Sequence, residues 1–152
     1  MASISNNPSG KKSEPPYRHV MAWVLFYDGD CAFCSRSVRN VIRFDHRAEI
    51  FFAPLQGEFS REKGFTKYAA ADGGTMVLLR ESDGRIFTHS DGLIEIARVF
   101  GGWWRLFTLA RFIPKPLRDA VYRIIARNRY RILGKADHCA LPDAALLKRL
   151  RG

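Results

Sequence analysis

Acidic residues are nearly missing from the last third of this chain. Residues 98–152 carry 13 Lys and Arg against Asp119, Asp137 and Asp143, whereas residues 1–97 hold 12 of each sign, so the net charge of +10 belongs to the C-terminal third. Such asymmetry fits weak, non-specific binding of anions such as nucleic acid, acidic lipid or acidic protein, falling steeply with salt. Long apolar runs are missing too. The first, Val20 to Tyr27, is eight residues long before Asp28, far short of the roughly 20 that a membrane-spanning helix needs. Residues 1–18 are rich in Ser, Asn, Pro and Lys and lack the apolar centre of a secretory signal, so they read as a disordered tail. The expectation is a soluble, cytoplasmic protein with no transmembrane segment. Cysteine is scarce, with three in the chain. In a reducing compartment that excludes a structural disulfide framework and leaves redox chemistry, metal binding or inert thiols for any close pair.

What is present suffices for one domain. The 152 residues are 47% apolar, enough for a single well-buried core and too few for two. The reading is a tail over 1–18, a domain over 19–135 with a helical extension from about 103, and a C-terminal tail over 136–152. The β-branched and aromatic run near 22–27 predicts a buried strand. Val38, Val41 and Ile42 recur at helical spacing with Arg36, Arg39 and Arg43 between them, which predicts an amphipathic helix. Residues 49–53 predict a second strand stopped by Pro54, and residues 55–71 a broken helical stretch. Residues 75–80 and 85–89 flank Asp83-Gly84, a hairpin signal. Ser90 is placed to cap a following helix that Gly101-Gly102 ends. A further helix spans about 117–132, with Leu117, Val121, Ile124 and Ile125 as its apolar stripe. The order βαβαββα with a mixed sheet predicts an α/β, thioredoxin-like three-layer fold with a C-terminal helical extension, its first turn at the carboxyl edge of the sheet.

That turn holds Cys31-Ala32-Phe33-Cys34. A CxxC at a helix start brings two sulfurs within bonding reach and exposes the first to unpaired backbone N–H groups and the positive end of the helix dipole. Both effects favour the thiolate, the form that attacks disulfides. Cys31, nearer the helix start and expected nearer the surface, is the candidate nucleophile, and Cys34 the resolving thiol. Asp28 and Asp30 precede the pair: their charge opposes thiolate formation, one could accept a proton, or they simply cap the helix and hold the turn. Thr75, at the start of the third strand, and Ser90 and Asp91, at a helix N-terminus where N–H groups could hold a substrate carboxylate, are the candidate substrate-binding residues. The substrate class is a disulfide-bearing protein or a small thiol, and no bound cofactor is required. The alternative is a non-enzymatic zinc-binding or interaction module using Cys31, Cys34, His138 and Cys139.

Tyr27-Asp28-Gly29-Asp30-Cys31-Ala32-Phe33-Cys34 resembles the opening motif of the DCC family of predicted thiol-disulfide oxidoreductases. Phe52-Ala53-Pro54-Leu55-Gln56, Ser90-Asp91, Ile113-Pro114 with Leu117-Arg118-Asp119, and Ile125 through Arg131 continue the resemblance, and Cys139 falls where the family often has a late Cys. The resemblance spans roughly residues 22–142 and implies a thioredoxin-like fold with a redox-active dithiol. One departure from thioredoxins and glutaredoxins stands out: they have a cis-Pro before the strand facing the dithiol, where this chain has Gly73-Gly74-Thr75-Met76.

Overall fold

A computed structural model of the chain describes residues 22–70, 75–133 and 144–151. The expected N-terminal tail and the pair His138 and Cys139 lie outside them. Strand β1 (Trp23–Tyr27) is the centre of the molecule, flanked by β2 (Ile50–Pro54) in parallel and by β3 (Val77–Arg80) antiparallel, and β4 (Arg85–Thr88) completes the order β2-β1-β3-β4. Trp23 to Phe26 are all buried, as a strand covered on both faces requires, which is why this segment reads as an unbroken apolar run. Pro54 ends β2, and the next N–H, that of Leu55, returns to the Tyr27 carbonyl at 2.8 Å.

Helix α1 (Ala32–Phe44) crosses from β1 to β2, and α4 (His89–Phe100) follows the hairpin. Val38 and Ile96 from these helices join Leu25, Ile50, Phe52 and Leu78 in one core. The short helices α2 (Glu58–Glu62) and α3 (Lys67–Ala70) cover the opposite face, where Val24, Phe26, Phe65 and Val77 form a second core. Phe65 meets Phe26 edge to face with centroids 4.9 Å apart. Helices on both faces of a mixed sheet make this a thioredoxin-like, three-layer α/β fold. The β3–β4 hairpin turns as expected, with Gly84 at φ +69 and the Asp83 carboxylate accepting the Arg85 N–H at 3.2 Å. Gly101, also at φ +69, ends α4 because only a residue without Cβ enters that region freely.

Two elements differ from expectation. Helix α4 begins at His89 with Thr88 as N-cap, so Ser90 lies inside the first turn and does not cap it. Beyond Gly101 the chain forms a 3-10 helix (Gly102–Phe112) and then α5 (Lys115–Leu133). Trp104 packs between Phe44 and Phe100, while Trp103 stacks on Trp104 with most of its own surface in solvent. The expected apolar stripe of α5 also faces solvent. Among its described side chains the buried ones are instead Asp119, Ala126 and Arg129, because the domain offers this helix polar partners.

Residues 144–151, part of the expected C-terminal tail, are held on the core. Helix α6 (Ala144–Leu147) buries Leu146, and Phe52 exchanges backbone hydrogen bonds with Arg149 and Arg151 at 2.9 and 2.8 Å. The chain end thereby covers the outer edge of β2, which would otherwise present unpaired groups.

Candidate active site

The site grows from the end of β1. The chain leaves the sheet at Asp28, turns through Gly29-Asp30, and enters α1 with Cys31 as its N-cap. Cys31 has extended backbone angles and its Sγ accepts the Cys34 N–H at 3.4 Å, satisfying one of the orphan donors of the first turn. Here sulfur takes the part that Ser or Asp usually plays. The side chain of an N-cap folds back over the turn that follows, which has a consequence for exposure. Cys31 is 0% exposed and Cys34 only partly buried, the reverse of the order expected from position along the helix.

Asp28 is buried and is not a cap of α1. Its Oδ1 accepts the Asp30 N–H at 3.1 Å and the Gln56 Nε2 at 2.8 Å, while its Oδ2 accepts Arg129 Nη2 at 2.6 Å. Gln56 Oε1 in turn accepts the Gly29 N–H at 3.2 Å, so one amide side chain fixes the whole turn. Asp30 is exposed. Arg129 is 4% exposed and bridges the two halves of the site: beside its ion pair with Asp28, its Nη1 lies 3.4 Å from Cys34 Sγ. The Cys34 thiol is pushed up to about 12, by burial first, then by its hydrogen bond to Cys31 and the charge there, against the opposing pull of Arg129. It therefore keeps its proton at neutral pH.

Helix α5 closes the site from above. Tyr122 Oη accepts the Met76 N–H at 3.3 Å, and its ring meets His89 edge to face with centroids 5.3 Å apart. Burial raises the Tyr122 phenol above its ordinary range. The Thr75 hydroxyl is buried and pairs with His89 Nε2 at 3.4 Å. The two N-terminal α4 residues expected to meet substrate are engaged by α5 instead. Ser90 gives both its hydroxyl and its N–H to the buried Asp119 carboxylate, and Asp91 pairs with Lys115 at 2.7 Å and Arg118 at 2.9 Å. The N–H group considered for a substrate carboxylate thus already holds one from the chain itself. Of the residues singled out in the sequence, Cys31, Cys34 and Asp28 come together with Asp30 beside them. Thr75, Ser90 and Asp91 make their contacts with His89 and α5.

Sequence reasoning missed Gln56, Tyr122 and Arg129 as site residues. Asp119, Tyr122, Ala126 and Arg129 are spaced three, four and three apart, a helical face, and that polar face was the available signal. Among the described residues no group of three or more His, Cys, Asp or Glu is arranged to hold a metal, and no helix is long and apolar enough to cross a membrane.

A thioredoxin-like sheet that delivers a CxxC pair to a helix N-terminus defines the class of dithiol proteins. Within it, the chain matches the family described as DCC1-like thiol-disulfide oxidoreductase over residues 25–135, and it belongs to that family. It is 37% identical over 126 residues to the uncharacterized protein YuxK of Bacillus subtilis strain 168, covering 83% of this chain and 91% of that one. It is 29% identical over 119 residues to a chloroplastic DCC family protein of Arabidopsis thaliana, covering 78% of this chain and 69% of that one. No solved structure gives a significant match.

Proposed function

We propose that the protein is a thiol-disulfide oxidoreductase of a reducing compartment such as the cytoplasm, with Cys31 as nucleophile and Cys34 as resolving thiol. The observation that carries the assignment of roles is the hydrogen bonding of the pair. Cys31 Sγ receives the Cys34 N–H at 3.4 Å, whereas burial and the nearby Cys31 hold the Cys34 thiol protonated up to about 12. Donors aimed at a sulfur favour its thiolate. In the reaction the Cys31 thiolate attacks one sulfur of a substrate disulfide, forming a mixed disulfide and expelling the other sulfur as a thiolate. Cys34 then gives up its proton and attacks Cys31 Sγ, releasing the second substrate thiol and leaving a Cys31–Cys34 disulfide. The substrate gains two electrons and the dithiol loses them; a cellular dithiol or glutathione restores it. Arg129, beside Cys34 Sγ, stabilises the negative charge that appears there during resolution. Asp28 holds Arg129 in place, and its paired charge is fitted to positioning. A substrate would approach at the edge near Thr75, with Ser90 and Asp91 acting through α5.

The zinc reading is disfavoured by the same guanidinium. A cation already lies against Cys34 Sγ, where a zinc ion sharing that sulfur would meet like charge. The test is trapping with a small aromatic disulfide under metal-free conditions. Cys34→Ser accumulates a stable mixed disulfide on Cys31, and Cys31→Ser traps little and loses turnover. Stoichiometric zinc in protein purified without chelator, or trapping confined to Cys34, contradicts the assignment.

A further inference from the structure

Helix α5 is built inside out. Asp119, Tyr122 and Arg129 face the domain, while Leu117, Val121, Ile124, Ile125 and Ile132 are between 46% and 60% exposed. At 3.6 residues per turn those five fall within one stripe roughly 100° wide. In the preceding 3-10 helix, Trp103, Leu106, Phe107 and Phe112 are between 51% and 87% exposed. Of the 14 large apolar residues exposed among the described residues, 11 lie between 103 and 132. Single exposed apolar side chains are ordinary, but a run of them over two consecutive elements marks a surface with a partner.

The charges around this run decide which partner. Arg105, Arg111, Arg123, Arg127 and Arg131 are exposed, and the last three follow one another at one-turn spacing beside the α5 stripe. The single acidic residue between 98 and 133 is Asp119, and it is buried against Ser90. A second copy of the chain would bring two such cationic surfaces together. A nucleic acid would match the charge and leave the stripe in water. An anionic bilayer satisfies both, because apolar side chains enter the acyl boundary while arginines reach the phosphates beside them.

We propose that the 3-10 helix and α5 form an interfacial docking surface for membranes rich in anionic phospholipid, on which the domain lies without spanning. Arg129 lies about a quarter-turn round α5 from the centre of the stripe, so docking places the dithiol within about one helix diameter, roughly 10 Å, of the lipid surface. The proposal holds whether or not the dithiol turns over.

The test is sedimentation of the full reduced chain with phosphatidylcholine vesicles, with and without phosphatidylserine, across a salt series. The protein binds the phosphatidylserine vesicles, more weakly as salt rises, and its tryptophan emission shifts to the blue as Trp103 leaves water. Neutral vesicles bind roughly tenfold more weakly or worse. Val121→Glu with Ile124→Glu, and separately Arg127→Glu with Arg131→Glu, each lowers partitioning roughly tenfold. All four side chains stand in solvent, so melting temperatures stay near wild type. The proposal is overturned if phosphatidylserine vesicles do not bind, or if neutral vesicles bind equally well. It also fails if Val121→Glu with Ile124→Glu retains binding to vesicles and duplex DNA alike, which would leave bare charge attraction. A dimer in sedimentation equilibrium that Ile124→Glu dissolves would assign the stripe to a second copy and overturn it as well.

Discussion

Arg129 serves two sulfurs through one guanidinium, since it lies against Cys34 directly and anchors the turn before Cys31 through Asp28. Removing one member of a buried ion pair leaves the other charge uncompensated, which costs about 3–5 kcal/mol. Arg129→Ala should lower stability by that amount in urea titration, and Arg129→Lys by less, because the charge survives and the fork does not. The chemical role separates from the structural one in the decay of a Cys31 mixed disulfide. Arg129→Lys should slow it, and a folded variant with wild-type decay would restrict the residue to holding the turn. Cys34 supplies a pH test with a definite sign. Its thiol stands at about 12 in the folded chain against an ordinary 9.0, so across that window the unfolded chain releases a proton that the folded one keeps. Stability contributed by this group is complete below pH 9 and falls as pH rises toward 12. The raised phenols of Tyr27 and Tyr122 act in the same direction. Thermal melts of reduced Cys34→Ala should therefore show a shallower alkaline decline than wild type, and parallel declines would remove Cys34 as the source.

Elements with strong local signals are legible in the amino-acid sequence itself. The apolar run of β1, the Asp83-Gly84 hairpin and the Val38/Val41/Ile42 spacing of α1 each report their own conformation. The start of α4 is less so, because Ser90 has the chemistry of a cap but is bound to Asp119, a partner 29 residues away. Helix α5 is legible as a helix and misleading as a surface. Periodicity identifies a stripe and cannot say which side meets the domain; here the buried Asp28 requires a cation, and Arg129 meets it across 101 residues of chain. The candidate site divides the same way. Cys31, Cys34 and Asp28 are neighbours in sequence and announce themselves together, whereas Gln56, Tyr122 and Arg129 enter from elsewhere. The C-terminal closure is a further long-range element. Asp45, buried at the end of α1, accepts the N–H groups of Glu49 and Ile50 and pairs with Arg149 at 2.9 Å. Arg149→Ala should cost about 1.5–3 kcal/mol, the range for a hydrogen bond to a charged group, and Asp45→Ala more, since three donors lose their acceptor. Equal midpoints for wild type and Asp45→Ala in denaturant would show that this closure adds nothing to the fold.

On the scale of the whole molecule Cys31 is enclosed while Cys34 is partly open to solvent. Cys31 has no exposed surface, and α5 is fastened over the site by Asp119 to Ser90, Tyr122 to the Met76 N–H, and Arg129 to Asp28. A fully buried cysteine reacts only from an open form, so its modification rate reports the free energy of opening when closing is faster than the chemistry. If the opening is a partial release of α5, weakening a fastening remote from the sulfurs should speed the reaction without touching the thiols. Ser90→Ala removes the hydroxyl that serves Asp119 and leaves the backbone N–H donation in place. The same hydroxyl also accepts Arg118 Nη1 at 3.3 Å; losing its hydrogen bond to the Asp119 carboxylate alone is worth about 1.5–3 kcal/mol. Expressed in the opening equilibrium, even the lower figure is roughly tenfold. Iodoacetamide labelling of Cys31 in reduced Ser90→Ala, followed by mass spectrometry, should therefore run about tenfold or more faster than in wild type at the same pH, with amide exchange along 115–133 accelerated in step. Labelling at the wild-type rate in a variant whose melting temperature has dropped would mean that the dithiol is uncovered by some motion other than release of α5.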